Sequence, residues 1–227
     1  MKQNRSKLKT SGASNRIKLE ATWNNAKHQR SSAEAESPNS AHVTNQGEMK
    51  EQAVQSEPYI LVPHTVTDLD DFVAHPENYL VSMFQEPGRA AGIWRDRLNR
   101  NPYGSEGFLS LSYHGTELIS AELWDEVTGI WFELIELVEE YLLKGSAERL
   151  FPGQPVPLRL EVKGRSTLFT VNQQKNRVDP SDFIPGILDE AHRYFTWVEE
   201  NIGTGEGQAL QAINSLRNQF LERVHSR

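Results

Sequence analysis

Residues 120–145, SAELWDEVTGIWFELIELVEEYLLKG, carry the pattern on which the fold depends. Leu123, Val127, Ile130, Leu134, Val138 and Tyr141 recur at three- and four-residue steps, and Trp124, Trp131, Ile135 and Leu142 widen the same stripe. That period predicts an amphipathic helix with a broad apolar face. Ser120 is placed to cap its start, Glu122 falls in the first turn, and Lys144 with Gly145 closes it. At roughly 1.5 Å per residue such a helix spans about 36 Å. Glu122, Asp125, Glu126, Glu133, Glu136, Glu139 and Glu140 cover the other face, with no basic residue before Lys144. A row of one charge steers association, so Glu126, Glu133, Glu136 and Glu140 are the candidate contacts to a basic partner.

Outward from this helix the pattern changes to period two. Residues 155–163 place Val156, Leu158, Leu160 and Val162 on one face and Arg159, Glu161 and Lys163 on the other. Gly164-Arg165-Ser166 turns the chain into a second strand over 167–171, and 172–177 reads as polar loop. Before the helix, Leu109, Leu111 and Tyr113 alternate with Ser110 and Ser112, and His114-Gly115 turns into a return strand over 116–119. Asp179-Pro180-Ser181-Asp182 is a helix start, with Phe183, Ile187, Ala191, Phe195 and Val198 on one face and Pro185 expected to kink or delay it. Residues 203–207 read as a flexible break. Leu210, Ile213, Leu216, Phe220 and Val224 then define an extra C-terminal helix. Upstream, Pro63 points to an edge strand, and Pro87 starts a helix to about Asn99 that carries Arg89, Arg95, Arg97 and Arg100.

The expected fold is therefore α+β, a ββ-α-ββ-α core in which an antiparallel sheet from two hairpins packs under two long helices. Three parts follow: 1–57, a disordered basic arm and polar linker; 58–104, an N-terminal extension packing on the core; and 105–227, the α+β core domain with its C-terminal helix.

Charge is distributed unevenly. The chain of 227 residues has a net charge of −7, while residues 1–30 hold eight Lys or Arg against Glu20 alone. Subtracting that +7 leaves −14 on the other 197 residues, which argues against a nucleic-acid-binding body. There is no cysteine, which fits a reducing, cytoplasmic setting, and no apolar run approaches the roughly 20 residues of a membrane span. The basic, acid-poor start loosely fits a transit peptide, but a solvated tail is the preferred reading.

Short motifs are weak. Asp189-Glu190-Ala191-His192 spells the acidic box of one helicase class, but the chain has no Gly-Lys pair for a phosphate loop, and in a helix Asp189 and Arg193 form an ordinary ion pair. Glu161-Val162-Lys163 matches the Glu-x-Lys element of metal-dependent nucleases without the Asp one strand earlier. The seven histidines show no ligand spacing, and no cofactor motif is present. The function expected is a non-enzymatic acidic protein-interaction module, of inhibitor or adaptor type, binding a basic partner. The alternatives are a metal-dependent nuclease using Glu161 and Lys163, or an adaptor tethered to nucleic acid through residues 1–30.

Any nucleic-acid binding should reside in residues 1–30, ignore sequence, and fall with salt at a log–log slope of about −0.9 per phosphate contacted. Filter binding across a salt series, with and without those residues, checks this; salt-resistant binding by 58–227 alone would contradict it.

Overall fold

The computed structural model describes residues 52–63, 65–100 and 104–225, so the basic arm 1–30 and most of the linker lie outside the described residues. The elements are β1 (Val54–Leu61), α1 (Leu69–Ala74), β2 (Leu80–Ser82), α2 (Pro87–Leu98), β3 (Glu106–Tyr113), β4 (Thr116–Ile119) and β5 (Asp125–Glu126). They continue with α3 (Val127–Lys144), β6 (Ser146–Leu150), β7 (Pro157–Lys163), β8 (Ser166–Val171), β9 (Gln174–Val178), α4 (Pro180–Asn201) and α5 (Gly207–His225). The class is α+β, and both hairpins, β3–β4 and β7–β8, are present.

The strands form two antiparallel sheets rather than the single one expected. One runs β2-β1-β3-β4, with β5 beside the start of β3; the other is the meander β6-β7-β8-β9. Helix α3 passes from the first sheet to the second. Two strands have no apolar alternation to announce them. SAERL in β6 buries only Ala147 among its large or small apolar side chains, and QKNRV in β9 buries only Val178. Both are edge strands, held by backbone pairing such as Ser146↔Glu161 and Thr167↔Val178, so side-chain pattern says little about them.

β1 begins at Val54, before the Pro58 expected, and lies between β2 and β3 instead of at an edge. Pro58 is tolerated there for a geometric reason. Its carbonyl accepts from Met83 N–H on the β2 side at 2.9 Å, and in an antiparallel strand a residue's nitrogen points the same way as its carbonyl. The missing N–H thus faces β2, whose paired stretch starts only at Tyr59, and the ladder to β3 loses nothing. This strand is integral to the first sheet.

Helix α3 is shorter than its apolar period suggests. Ser120 makes no side-chain cap, Ala121–Leu123 form a 3-10 turn, and Trp124 to Glu126 are extended. Tertiary bonds draw this segment out: Asp125 accepts from Gly153 N–H at 2.8 Å, and Val127 N–H donates to Ser105 O at 3.0 Å. The cap is Glu126, whose carboxylate accepts from Gly129 N–H at 2.5 Å. Gly145 ends the helix at φ 75°, the left-handed conformation glycine adopts freely. Helix α4 starts as expected on Asp179, which accepts from Ser181 N–H at 2.9 Å, and it runs on through Pro185. Residues 203–207 are an ordered turn, not a flexible break: Glu206 N–H donates to Glu199 at 2.7 Å.

The core lies between the helices and both sheets. Trp131 and Tyr194 approach at 6.0 Å between ring centroids, Phe132 and Phe195 at 5.1 Å, joining α3 to α4. Phe183 meets Tyr113 of the first sheet at 5.4 Å and Phe169 of the second at 5.2 Å. Gly186 allows α4 to lie close on β1, since a Cβ there would stand 2.7 Å from Val54 Cβ.

Trp131 is 0% exposed, so Trp131→Ala should cost roughly 3–5 kcal/mol of stability. Chemical denaturation checks this, and a loss within experimental scatter would show that the α3 face is not the core.

Candidate functional site

The end of α3 and the tip of the β7–β8 hairpin lie side by side, with Val162 N–H donating to Gly145 O at 3.1 Å. There the second sheet outreaches the helix that covers it. Leu158 and Leu160 are buried as expected, but Val162, on the same face, is 54% exposed. Beyond it opens a cleft of about 800 Å³, bounded by the hairpin tip, the end of β9, the first turn of α4 and the last turns of α3 and α5. That volume falls within the range of small-molecule sites.

Arg165 in the hairpin turn, Arg177 on β9 and Arg223 in the last turn of α5 line this cleft. Arg177 is paired with Leu168, so its side chain lies on the sheet face opposite Val178, and the residue borders the cleft at the end of β9. None of the three has a hydrogen-bond or ion-pair partner among the described residues. Pairing is otherwise common here. Arg159 holds Glu148 at 2.5 Å and Arg217 holds Asp189 at 2.5 Å. In the arginine-rich helix α2, Arg89 pairs with Glu86, Arg95 with Asn201 O, and Arg97 with Glu106 O and Leu61 O.

The polar wall of the cleft is self-satisfied. Tyr113 OH donates to Asp182 at 2.8 Å and accepts from Asp179 N–H at 3.0 Å; burial, with the adjoining Asp182 carboxylate, raises its pKa. Tyr141 OH and Thr167 OH share a hydrogen bond of 3.0 Å. Ser181 gives both its N–H and its hydroxyl to Asp179, which holds that carboxyl below its usual range.

The four glutamates expected to face a partner are dispersed. Glu126 is turned inward as the α3 cap, and burial pushes its pKa up to about 7 against the Gly129 N–H and Thr128 hydroxyl that favour the anion. Glu136 lies 3.3 Å from Arg149, and Glu140 holds Arg149 at 2.6 Å and Lys144 at 2.7 Å. Glu133 is half-buried. Of the nuclease pair, Glu161 stands across from Ser146 and Leu168, with no second carboxylate in the adjoining register, and Lys163 is exposed. Among the described residues no group of three His, Asp or Glu side chains is placed to hold a metal. Asp189 pairs with Arg217 rather than Arg193, correcting the expected helical pair. No helix among the described residues is long and apolar enough to cross a membrane.

Two acids that the sequence placed on solvated segments are buried. Glu190, 2% exposed, accepts from Ser56 hydroxyl at 2.5 Å and Ser56 N–H at 3.2 Å, tying α4 to β1. Arg193 adds a contact to Glu190 at 3.3 Å and lies over the Phe84 ring. Burial raises the Glu190 pKa despite these partners. Glu206 is 4% exposed; burial carries it up to about 7, opposed by the Thr204 hydroxyl. Both Glu126 and Glu206 act on Tyr194 at the end of a hydroxyl chain. Ser105 and Thr128 are 2.8 Å apart and Thr128 and Tyr194 2.7 Å apart, and burial raises the Tyr194 pKa well above 10.0.

These raised carboxyls bind protons more tightly in the folded chain than in the unfolded one. The stability they contribute is complete below about pH 4.5 and is lost as pH rises through about 7. Burial lowers the His192 pKa, which acts oppositely below 6.5, but it is one group against two carboxyls, with Glu190 on their side. Stability should fall from pH 5 to pH 7 by up to about 1.4 kcal/mol per pH unit for each carboxyl. Urea titrations at stepped pH check this. Glu126→Gln with Glu206→Gln should flatten the slope, and a midpoint constant or rising with pH would contradict the assignment. No protein-family model, curated protein or solved structure matches the chain.

Proposed function

We propose that the protein is a non-enzymatic binding module whose ligand is an anion held in the cleft between the second sheet and the ends of α3, α4 and α5. The observation that carries this is the pair Arg165 and Arg223, unpartnered among the described residues at a concave, partly apolar opening that Arg177 borders. Guanidinium groups recognise carboxylate and phosphate through paired N–H donors, and cations without internal partners keep that capacity free. Binding rather than catalysis is supported by the cleft's chemistry. The hydroxyls of Tyr113, Tyr141, Thr167 and Ser181 are committed to internal hydrogen bonds, and the carboxyls with raised pKa, Glu126, Glu190 and Glu206, are not among the lining residues.

The expected basic partner has less to stand on. Glu126 is half-buried and turned inward as the α3 cap, while Glu136 and Glu140 already face Arg149, so three of the four glutamates expected at such a contact are engaged within the chain. Tethering to nucleic acid through residues 1–30 is compatible with a ligand cleft elsewhere, because it uses a different segment.

NMR titration with octanoate and with octylammonium tests the sign of the ligand. Octanoate should shift the amide signals of Gly164, Arg165 and Ser166, and octylammonium should not. Arg165→Ala with Arg223→Ala should remove the octanoate shifts while leaving stability within about 1 kcal/mol, since exposed charges contribute little. Equal shifts from both probes, or octanoate shifts that survive the double substitution, would refute an anion site.

A further inference from the structure

The cleft pairs its arginines with a floor of a different character. Tyr141, Leu142, Ile184 and Phe220 are buried beneath it, and Val162 and Val224 stand at its rim, 54% and 52% exposed. Solvent-facing β-branched side chains on two separate elements, converging on one opening, leave apolar surface in contact with water that a ligand would cover. Cations stand at the hairpin turn, Arg165, and in the last turn of α5, Arg223, so charge and apolar surface line the same cleft.

Resting on the anion-binding role proposed above, we infer that the ligand is a free single-chain amphiphile. Its carboxylate or phosphate head pairs with Arg165 and Arg223, and its hydrocarbon tail lies along Leu142, Ile184, Phe220 and the two rim valines. The polar inventory of the cleft favours a hydrocarbon tail over a peptide. Tyr113, Tyr141, Thr167 and Ser181 already spend their hydroxyls on one another or on Asp179 and Asp182. Apart from the arginines, Ser166, Asp179 and the β9 edge, the walls offer few free partners, and a peptide's amides over the apolar floor would enter largely unsatisfied. Each such group would forfeit its hydrogen bonds to water, whereas methylenes ask for none.

Isothermal titration of the full chain with acetate, octanoate, decanoate and dodecanoate, below micelle-forming concentrations, separates head from tail. Affinity should rise about two- to fourfold with each added methylene that the cleft covers. Val162→Ser with Val224→Ser, both at exposed positions that do not hold the core, should weaken dodecanoate at least about fivefold and leave acetate unchanged. Arg165→Ala with Arg223→Ala should weaken every probe by about tenfold or more.

Affinity independent of chain length, with the arginine dependence intact, would overturn the amphiphile while sparing the anion site. Loss of arginine dependence for all probes would overturn both. Tight dodecanoate binding that ignores the valine substitutions would place the tail elsewhere and refute this assignment. Phosphatidylglycerol vesicles provide the last arm. Because residues 1–30 carry +7, any pelleting of the full chain should be the same with Arg165→Ala and Arg223→Ala as without them, and arginine-dependent pelleting would assign the head to a membrane lipid and overturn a free amphiphile.

Discussion

Phe183 holds the two sheets to one helix layer, and much of the architecture follows from that contact. Its ring meets Tyr113 of the first sheet edge-on and Phe169 of the second at 5.2 Å. The residue sits in the first turn of α4, whose start is set by Asp179, and the Asp179 N–H itself binds Tyr113 OH. One turn of helix is thus locked to both sheets by packing and by hydrogen bonds at once. Two turns further on, Glu190 takes the hydroxyl and amide of Ser56 in β1, and beyond it Tyr194 and Phe195 close against α3. Buried polar groups in such a position fix register, because displacing α4 along the sheet would leave a carboxylate unsatisfied in a low-dielectric interior.

The same arrangement leaves the cleft. Helices α3 and α5 end near the hairpin tip, and the second sheet continues past them, so an apolar face that the helices cover elsewhere is open there. Most arginines elsewhere among the described residues are partnered. Arg149, Arg159, Arg193 and Arg217 all meet carboxylates, and Arg95 and Arg97 meet backbone carbonyls. Among the described residues Arg165, Arg177 and Arg223 do not, although the chain carries an excess of acids that could have matched them. Beside a low-dielectric wall such charges act over a Debye length of about 8 Å at physiological salt, far enough to capture an approaching anion.

Sequence alone determined those features that depend on neighbours along the chain. The α+β class, the two hairpins, the start of α4 at Asp179-Pro180 and the apolar stripe of α3 are written in periods of two and 3.6 and in capping residues, all local signals. Ile130, Leu134, Val138 and Tyr141 are buried where the stripe puts them. Only the tertiary structure decided the rest. Edge strands β6 and β9 exist through backbone pairing that no side-chain alternation records. The segment before Val127 is extended, despite a helical pattern, because Asp125, Ser105 and Gly153 bond across the fold. Glu190 and Glu206 are buried although charged residues in polar stretches read as solvated, since burial depends on what packs over them from distant elements. The cleft is the extreme case: its arginines come from a turn, an edge strand and a helix end, spread over residues 165–223. Nothing in their spacing relates them, and they become one site because two sheets and three helix ends meet there.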